Sequence, residues 1–192
     1  MTAQKTPQNR ELVVLLHGIL RNKFDMLPLG KFLEKHGYDT LNILYPSRRK
    51  SLEDLAGFVE DKVKNSPLYK EEKTIHFVAH SMGALITRYY IATRRPAHLG
   101  RVVMLGPPNT GSEHADFLAN NHILGRIFRK IYGPASLQLK TDYRHLDGTI
   151  DYPIGVIAGS RSINPLAALA LPKKIVGEHD GMRVAEQVLP ET

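Results

Sequence analysis

The segment Ala79-His80-Ser81-Met82-Gly83 constrains this chain most, because it joins an apolar run to an amphipathic one with no loop between them. Thr74 to Ala79 has the β-branched and aromatic content of a buried strand, and from Met82 onward Ala84, Leu85, Tyr89 and Ile91 recur at helical spacing. A strand that turns at once into a helix puts the corner residue, Ser81, into a strained backbone conformation and exposes its hydroxyl. Small neighbours at Ala79 and Gly83 let such a turn close, and the first amides of the helix then face whatever sits on the serine. Ser81 reads either as a nucleophile on an elbow or as an ordinary helix cap. Ala79 stands where the strict Gly-x-Ser-x-Gly form has glycine.

With 192 residues, 42% of them hydrophobic, the chain can bury one substantial core. No linker divides it, so a single domain over residues 1–192 is expected. Met1 to Arg10 is polar, without the apolar centre of a signal peptide, and no stretch reaches the length of a membrane span. A cytoplasmic protein is expected. The absence of cysteine excludes disulfides, thiolate metal sites and a cysteine nucleophile. The formal charge of +7 is spread over separated clusters, Arg48-Arg49-Lys50, Arg94-Arg95, Arg126 with Arg129-Lys130, and Lys173-Lys174. No recognition motif accompanies them, so they read as solvated surface rather than a nucleic-acid footprint, and membrane contact is expected to be peripheral at most.

Along the chain, Glu11 to Leu16 is a continuous apolar run ending at His17-Gly18, as in a strand of a buried sheet. Leu27, Leu29, Phe32 and Leu33 then fit one helix face, with Pro28 in the first turn and Gly37 as the stop. Asp39 to Tyr45 reads as a second strand, with Leu41-Asn42-Ile43-Leu44 at its centre, cut off by Pro46. Ser51-Leu52-Glu53-Asp54 resembles a capping box, and Leu52, Leu55, Phe58, Val59 and Val63 continue one helix face. Arg101 to Leu105 and Ile154 to Ala158 are the remaining strands. Such alternation implies an α/β fold, a mostly parallel sheet flanked by helices, with ligands beyond the carboxyl ends of the strands. The loops at His17, Pro46, Ser81, Gly106 and Gly159 should share that rim.

A serine hydroxyl needs a base, a group that orients the base, and donors for the developing oxyanion. Met82 N–H is one candidate donor and Ile19 N–H, in the loop after the first strand, the other. His17 is expected to fix this loop through its ring nitrogens, with a role as the general base as the alternative. The order strand, His17-Gly18, strand, Ala79-His80-Ser81-Met82-Gly83 resembles the α/β-hydrolase superfamily, in its small lipase-like and esterase-like members. The segments Leu44-Tyr45-Pro46-Ser47-Arg48-Arg49 and Leu105-Gly106-Pro107-Pro108-Asn109-Thr110-Gly111-Ser112-Glu113 are similar to a bacterial branch of that group. The resemblance implies a Ser, Asp, His triad in chain order, two backbone amides as an oxyanion hole, and neither metal nor organic cofactor.

On that resemblance Asp180, in Glu178-His179-Asp180-Gly181, is the triad acid; by itself the segment reads as an Asp-Gly turn. The triad histidine of similar proteins follows the acid, but no histidine lies between Asp180 and Thr192. A missing C-terminal segment is the leading expectation, which would also remove a last strand and helix and leave a sheet edge exposed. A base recruited from elsewhere, His114 or His179, and loss of catalysis are the alternatives. His36, His76, His80, His98, His122 and His145 read as partly exposed or capping residues.

The long excursion between Gly106 and Tyr152 is where this architecture carries a helical lid, expected around residues 107–150. Ile123, Leu124, Ile127, Phe128, Ile131 and Tyr132 form an apolar stripe there, and core packing and an acyl-binding lid are both open. His17, Leu20, Pro107, Ile127 and Phe128 are the candidates for lining the pocket and lid. The expected activity is hydrolysis of a carboxylic ester, of small-molecule, acyl or lipid character, through an acyl-enzyme on Ser81. A non-catalytic binding module or an inactive, truncated hydrolase is the alternative.

Overall fold

A computed structural model describes residues 10–19, 21–47, 49–107, 151–158 and 183–187. The first apolar run becomes strand β1 (Leu12–Leu16), with all five residues buried. A strand covered on both faces needs continuous rather than alternating hydrophobicity, which is why Leu12–Leu16 has no polar residue. Four more strands run parallel to one another and to β1: β2 (Asp39–Ile43), β3 (Ile75–His80), β4 (Leu99–Leu105) and β5 (Ile154–Ala158). The sheet order is β2-β1-β3-β4-β5, with a sixth strand, β6 (Arg183–Gln187), beside β5.

Helices cover both faces. Val13, Leu15 and Val78 pack under a short 3-10 turn, Lys23–Met26, and helix α1 (Leu27–Lys35), through Met26, Leu29 and Leu33. Leu12, Val14, Leu16, Phe77 and Ala79 face the larger core, shared with α2 (Leu52–Lys64) and α3 (Met82–Arg94). Ser51 caps α2 by accepting the Asp54 N–H, and the Asp54 carboxylate accepts back from the Ser51 backbone. The hydroxyl of Ser51, together with that amide, holds the Asp54 carboxyl below its ordinary range. Gly37, at φ +86, closes the chain after α1 in a conformation that favours glycine. Among the described residues no helix is long and apolar enough to cross a membrane.

Three features depart from expectation. The edge beyond β5 is taken by β6, which runs antiparallel to it. Its sequence, Arg-Val-Ala-Glu-Gln, carries too little hydrophobic pattern to be recognised without its partner. The chain between β1 and α1 winds into a 3-10 turn held by a reciprocal box of Asn22 and Asp25. Finally, Leu27 and Phe32 do not share the buried face of α1; both are exposed, and Leu29 and Leu33 pack inward. The expected lid lies outside the described residues except for Pro107.

The connection from β1 leads to β2 on one side, and the connection from β2 returns to β3 on the other side of β1. Strand order therefore reverses between β1 and β3. Loops leaving these two strands part in opposite directions and open a crevice at their carboxyl ends.

Candidate active site

Ser81 stands at that reversal, between the last residue of β3 and the first of α3. Its backbone, at φ 51 and ψ −119, is the one non-glycine with positive φ among the described residues. Such a conformation costs about 1–3 kcal/mol and persists only when its surroundings hold it. Here the Ser81 N–H donates to the Leu105 carbonyl of β4 at 3.0 Å, and the Ser81 carbonyl accepts from the Ala84 N–H at 2.9 Å. The side chain makes no capping bond, so the simple helix-cap alternative is not what the structure shows.

Two glycines allow the close approaches that surround this corner. A Cβ at Gly83 would sit 2.7 Å from the Leu16 carbonyl oxygen and 2.9 Å from that of His17, so the first turn of α3 rests directly on the end of β1. A Cβ at Gly18 would lie 2.6 Å from His80 Nδ1 and 3.3 Å from the Ser81 Cβ. The loop after β1 thus abuts the serine. Met82 N–H, at the start of the helix, has no carbonyl one turn back to bond.

His17 is 1% exposed, and its Nδ1 lies 2.8 Å from the Gly18 carbonyl oxygen. A carbonyl only accepts, so Nδ1 carries the proton. Burial lowers the His17 pKa, outweighing that hydrogen bond, and keeps the ring neutral. Tyr45, two residues beyond β2, stacks on the imidazole with ring centroids 4.3 Å apart and an 8° interplanar angle. Its hydroxyl donates to the His17 carbonyl, and its buried phenol is pushed well above its usual range. The loop carrying Gly18 and Ile19 is therefore clamped by Tyr45 and by the α3 turn. Tyr45→Phe keeps the stack but leaves that carbonyl without its donor. We expect a loss of about 1–2 kcal/mol in urea unfolding, with unchanged m-value.

The pattern of histidines is equally specific. His17 and His80 lie at the rim, and among the described residues neither is hydrogen-bonded to Ser81. Burial, then the charge of Arg21, lowers the pKa of His80. His76, the second residue of β3, lies at the opposite end, where its Nδ1 accepts from the Arg101 N–H. His36 closes α1, with Nδ1 2.7 Å from the Phe32 carbonyl oxygen, and His98 immediately precedes β4.

Ser81, Met82, Ile19 and His17 are thus gathered where β1 and β3 end, and Pro107 follows β4 on the same rim. Leu20, Ile127, Phe128 and Asp180, with His114 and His179, lie outside the described residues. Tyr45 lies in the segment Leu44 to Arg49, where its sequence position alone points to no role. One aromatic residue after a strand carries no periodic signal, and only the packing reveals its contact with His17.

A family model described as "Putative serine esterase (DUF676)" matches residues 6–105, slightly more than half of the chain, from before β1 to the end of β4. The chain belongs to this family. The matched segment of this serine esterase family member contains the Gly18 loop, Tyr45, Ser81 and Gly83. No curated protein matches the sequence. Among solved structures, the fold is similar to phospholipase PlaB of Legionella pneumophila, with TM-score 0.61, 18% identity, and coverage of 80% of this chain and 39% of that one. The mature lipase BlEst2 of Bacillus licheniformis gives 0.57 at 21% identity, covering 79% and 63%. The monoacylglycerol lipase of Paleococcus ferrophilus gives 0.51 at 15%, covering 74% and 70%. These likenesses establish an α/β-hydrolase fold. The chain spans less than two thirds of BlEst2 and under half of PlaB.

Proposed function

We propose that this protein hydrolyses carboxylic esters through an acyl-enzyme on Ser81. The observation that carries the proposal is the strained Ser81 backbone at the point where strand order reverses, its hydroxyl free of any capping bond. In the proposed reaction the Ser81 oxygen attacks the acyl carbon and passes its proton to an imidazole. The carbonyl oxygen becomes an oxyanion held by the Ile19 and Met82 amides, and the alcohol leaves with the proton. Water then attacks the acyl-serine by the same route. Asp180 is proposed to orient that imidazole. The lipase and phospholipase among the structural neighbours make an acyl ester the substrate class we assign.

A fluorophosphonate probe on the full-length gene product should label Ser81, and Ser81→Ala should abolish the labelling. Wild-type protein that takes no label at Ser81 would remove the hydrolase proposal. A second reading, a non-catalytic binding module on the same fold, is favoured by one observation: no imidazole among the described residues bonds to Ser81. It calls for ligand binding without turnover of p-nitrophenyl esters, unaffected by Ser81→Ala.

A further inference from the structure

The large hydrophobic side chains that stand exposed among the described residues all lie at one side of the sheet: Phe24 (64%), Phe32 (56%), Leu44 (54%) and Leu27 (38%). Three belong to the 3-10 turn and α1, and the fourth follows β2, the edge strand. Asn42 of β2 donates to the Lys23 carbonyl at 2.7 Å, which ties the end of the edge strand to that turn. Along α1, Met26, Leu29, Gly30 and Leu33 turn inward, so Phe24, Leu27, Lys31, Phe32 and Lys35 form the outward stripe.

The charges of this stripe are one-sided. Lys23, Lys31 and Lys35 are exposed and outnumber the two acids of the segment, Asp25 and Glu34. Asp25 pairs with Arg21 at 3.3 Å and accepts from the Asn22 N–H; Glu34 accepts from the Thr40 hydroxyl at 2.5 Å. Exposed aromatic and aliphatic residues interleaved with lysines that outnumber the neighbouring acids fit the boundary of an anionic lipid layer, where apolar side chains enter and ammonium groups meet headgroups. A second copy of the chain fits less well, because a two-fold contact through this face would bring two lysine-rich surfaces together.

We infer that the stripe Phe24, Leu27, Lys31, Phe32, Lys35 docks the protein on an anionic lipid surface. α1 begins at the carboxyl end of the sheet, just beyond the Gly18 loop, so docking there holds the Ser81 rim close to the lipid boundary. The inference does not depend on chemistry at Ser81.

The experiment is co-sedimentation of the full chain with vesicles of phosphatidylcholine, and of phosphatidylcholine mixed with phosphatidylglycerol. Binding to the mixed vesicles should exceed binding to the neutral ones about tenfold and weaken as salt rises. Phe24→Ser with Phe32→Ser, and Lys31→Glu with Lys35→Glu, should each reduce it about tenfold while thermal unfolding stays unchanged. Ser81→Ala should bind as wild type, which separates this result from the fate of the hydrolase proposal. Equal binding to both vesicle types, no binding, or full binding by either double variant overturns the inference. So does concentration-dependent self-association that the phenylalanine pair abolishes without any vesicle binding, which would assign the stripe to a second copy.

Discussion

Gly83→Val is expected to destabilise the protein by about 3 kcal/mol, with Gly83→Ala intermediate. The new Cβ falls 2.7 Å from the Leu16 carbonyl oxygen, 2.9 Å from that of His17 and 2.9 Å from the Leu16 Cβ. Neither carbonyl is free to retreat: Leu16 is held between Ile43 and Ala79 in the sheet, and the His17 carbonyl accepts from Tyr45. Alanine recovers about 1 kcal/mol of helix propensity over glycine, which offsets part of the overlap; valine recovers less and adds two methyl groups. The strain has one outlet, a shift of the first turn of α3 away from β1. That shift carries Ser81 with it, so fluorophosphonate labelling should fall about tenfold or more even in the folded fraction, since a 1 Å displacement of reacting groups can cost that much. Urea unfolding together with labelling of the folded protein checks both parts. Wild-type stability in Gly83→Val would mean that α3 does not rest on β1 as described.

Ser81→Gly should abolish labelling completely and at the same time stabilise the fold. The conformation φ 51, ψ −119 is the mirror image of an ordinary extended one, so glycine adopts it without strain. Relief of about 1–3 kcal/mol exceeds the roughly 0.5–1 kcal/mol of extra chain entropy that glycine loses on folding. A net gain of about 1 kcal/mol corresponds to a rise of roughly 2–4 °C in the unfolding midpoint for a chain of this size. Ser81→Ala supplies the contrast, since it removes the hydroxyl and keeps the strain. If calorimetry shows Ser81→Gly no more stable than Ser81→Ala, the corner is not strained and its value as evidence for a nucleophile is lost.

Both expectations concern a corner that is legible in the sequence because it is local. A β-branched run that meets a helical repeat at one small-flanked serine leaves the backbone few conformations, and Ser81 adopts one of them. The Ser51 to Asp54 cap of α2 was equally legible, its partners being three residues apart. Tyr45 was not, because its contact with His17 spans 28 residues of chain. β6 was missed because an edge strand of mixed polarity is defined by the neighbour it pairs with. Leu27 and Phe32 fitted the apolar face of α1 by residue type, and only the angle at which α1 meets the sheet turned them outward.

The sequence by itself determined the alternation of strands and helices, the strand-to-helix corner at Ser81, and the small residues Ala79 and Gly83 that flank it. These depend on periodicity and on backbone sterics within a few residues. Tertiary structure decided which loop meets the serine. Of the loops expected to share the rim, the Gly18 loop approaches within van der Waals distance, because the sheet reverses its strand order between β1 and β3 and places those two strands side by side. It also decided that Gly83 bears on the end of β1, that Tyr45 closes over His17, and that the outer face of α1 stays uncovered. Each of these is a contact between residues far apart in the chain, and so follows from how the layers pack.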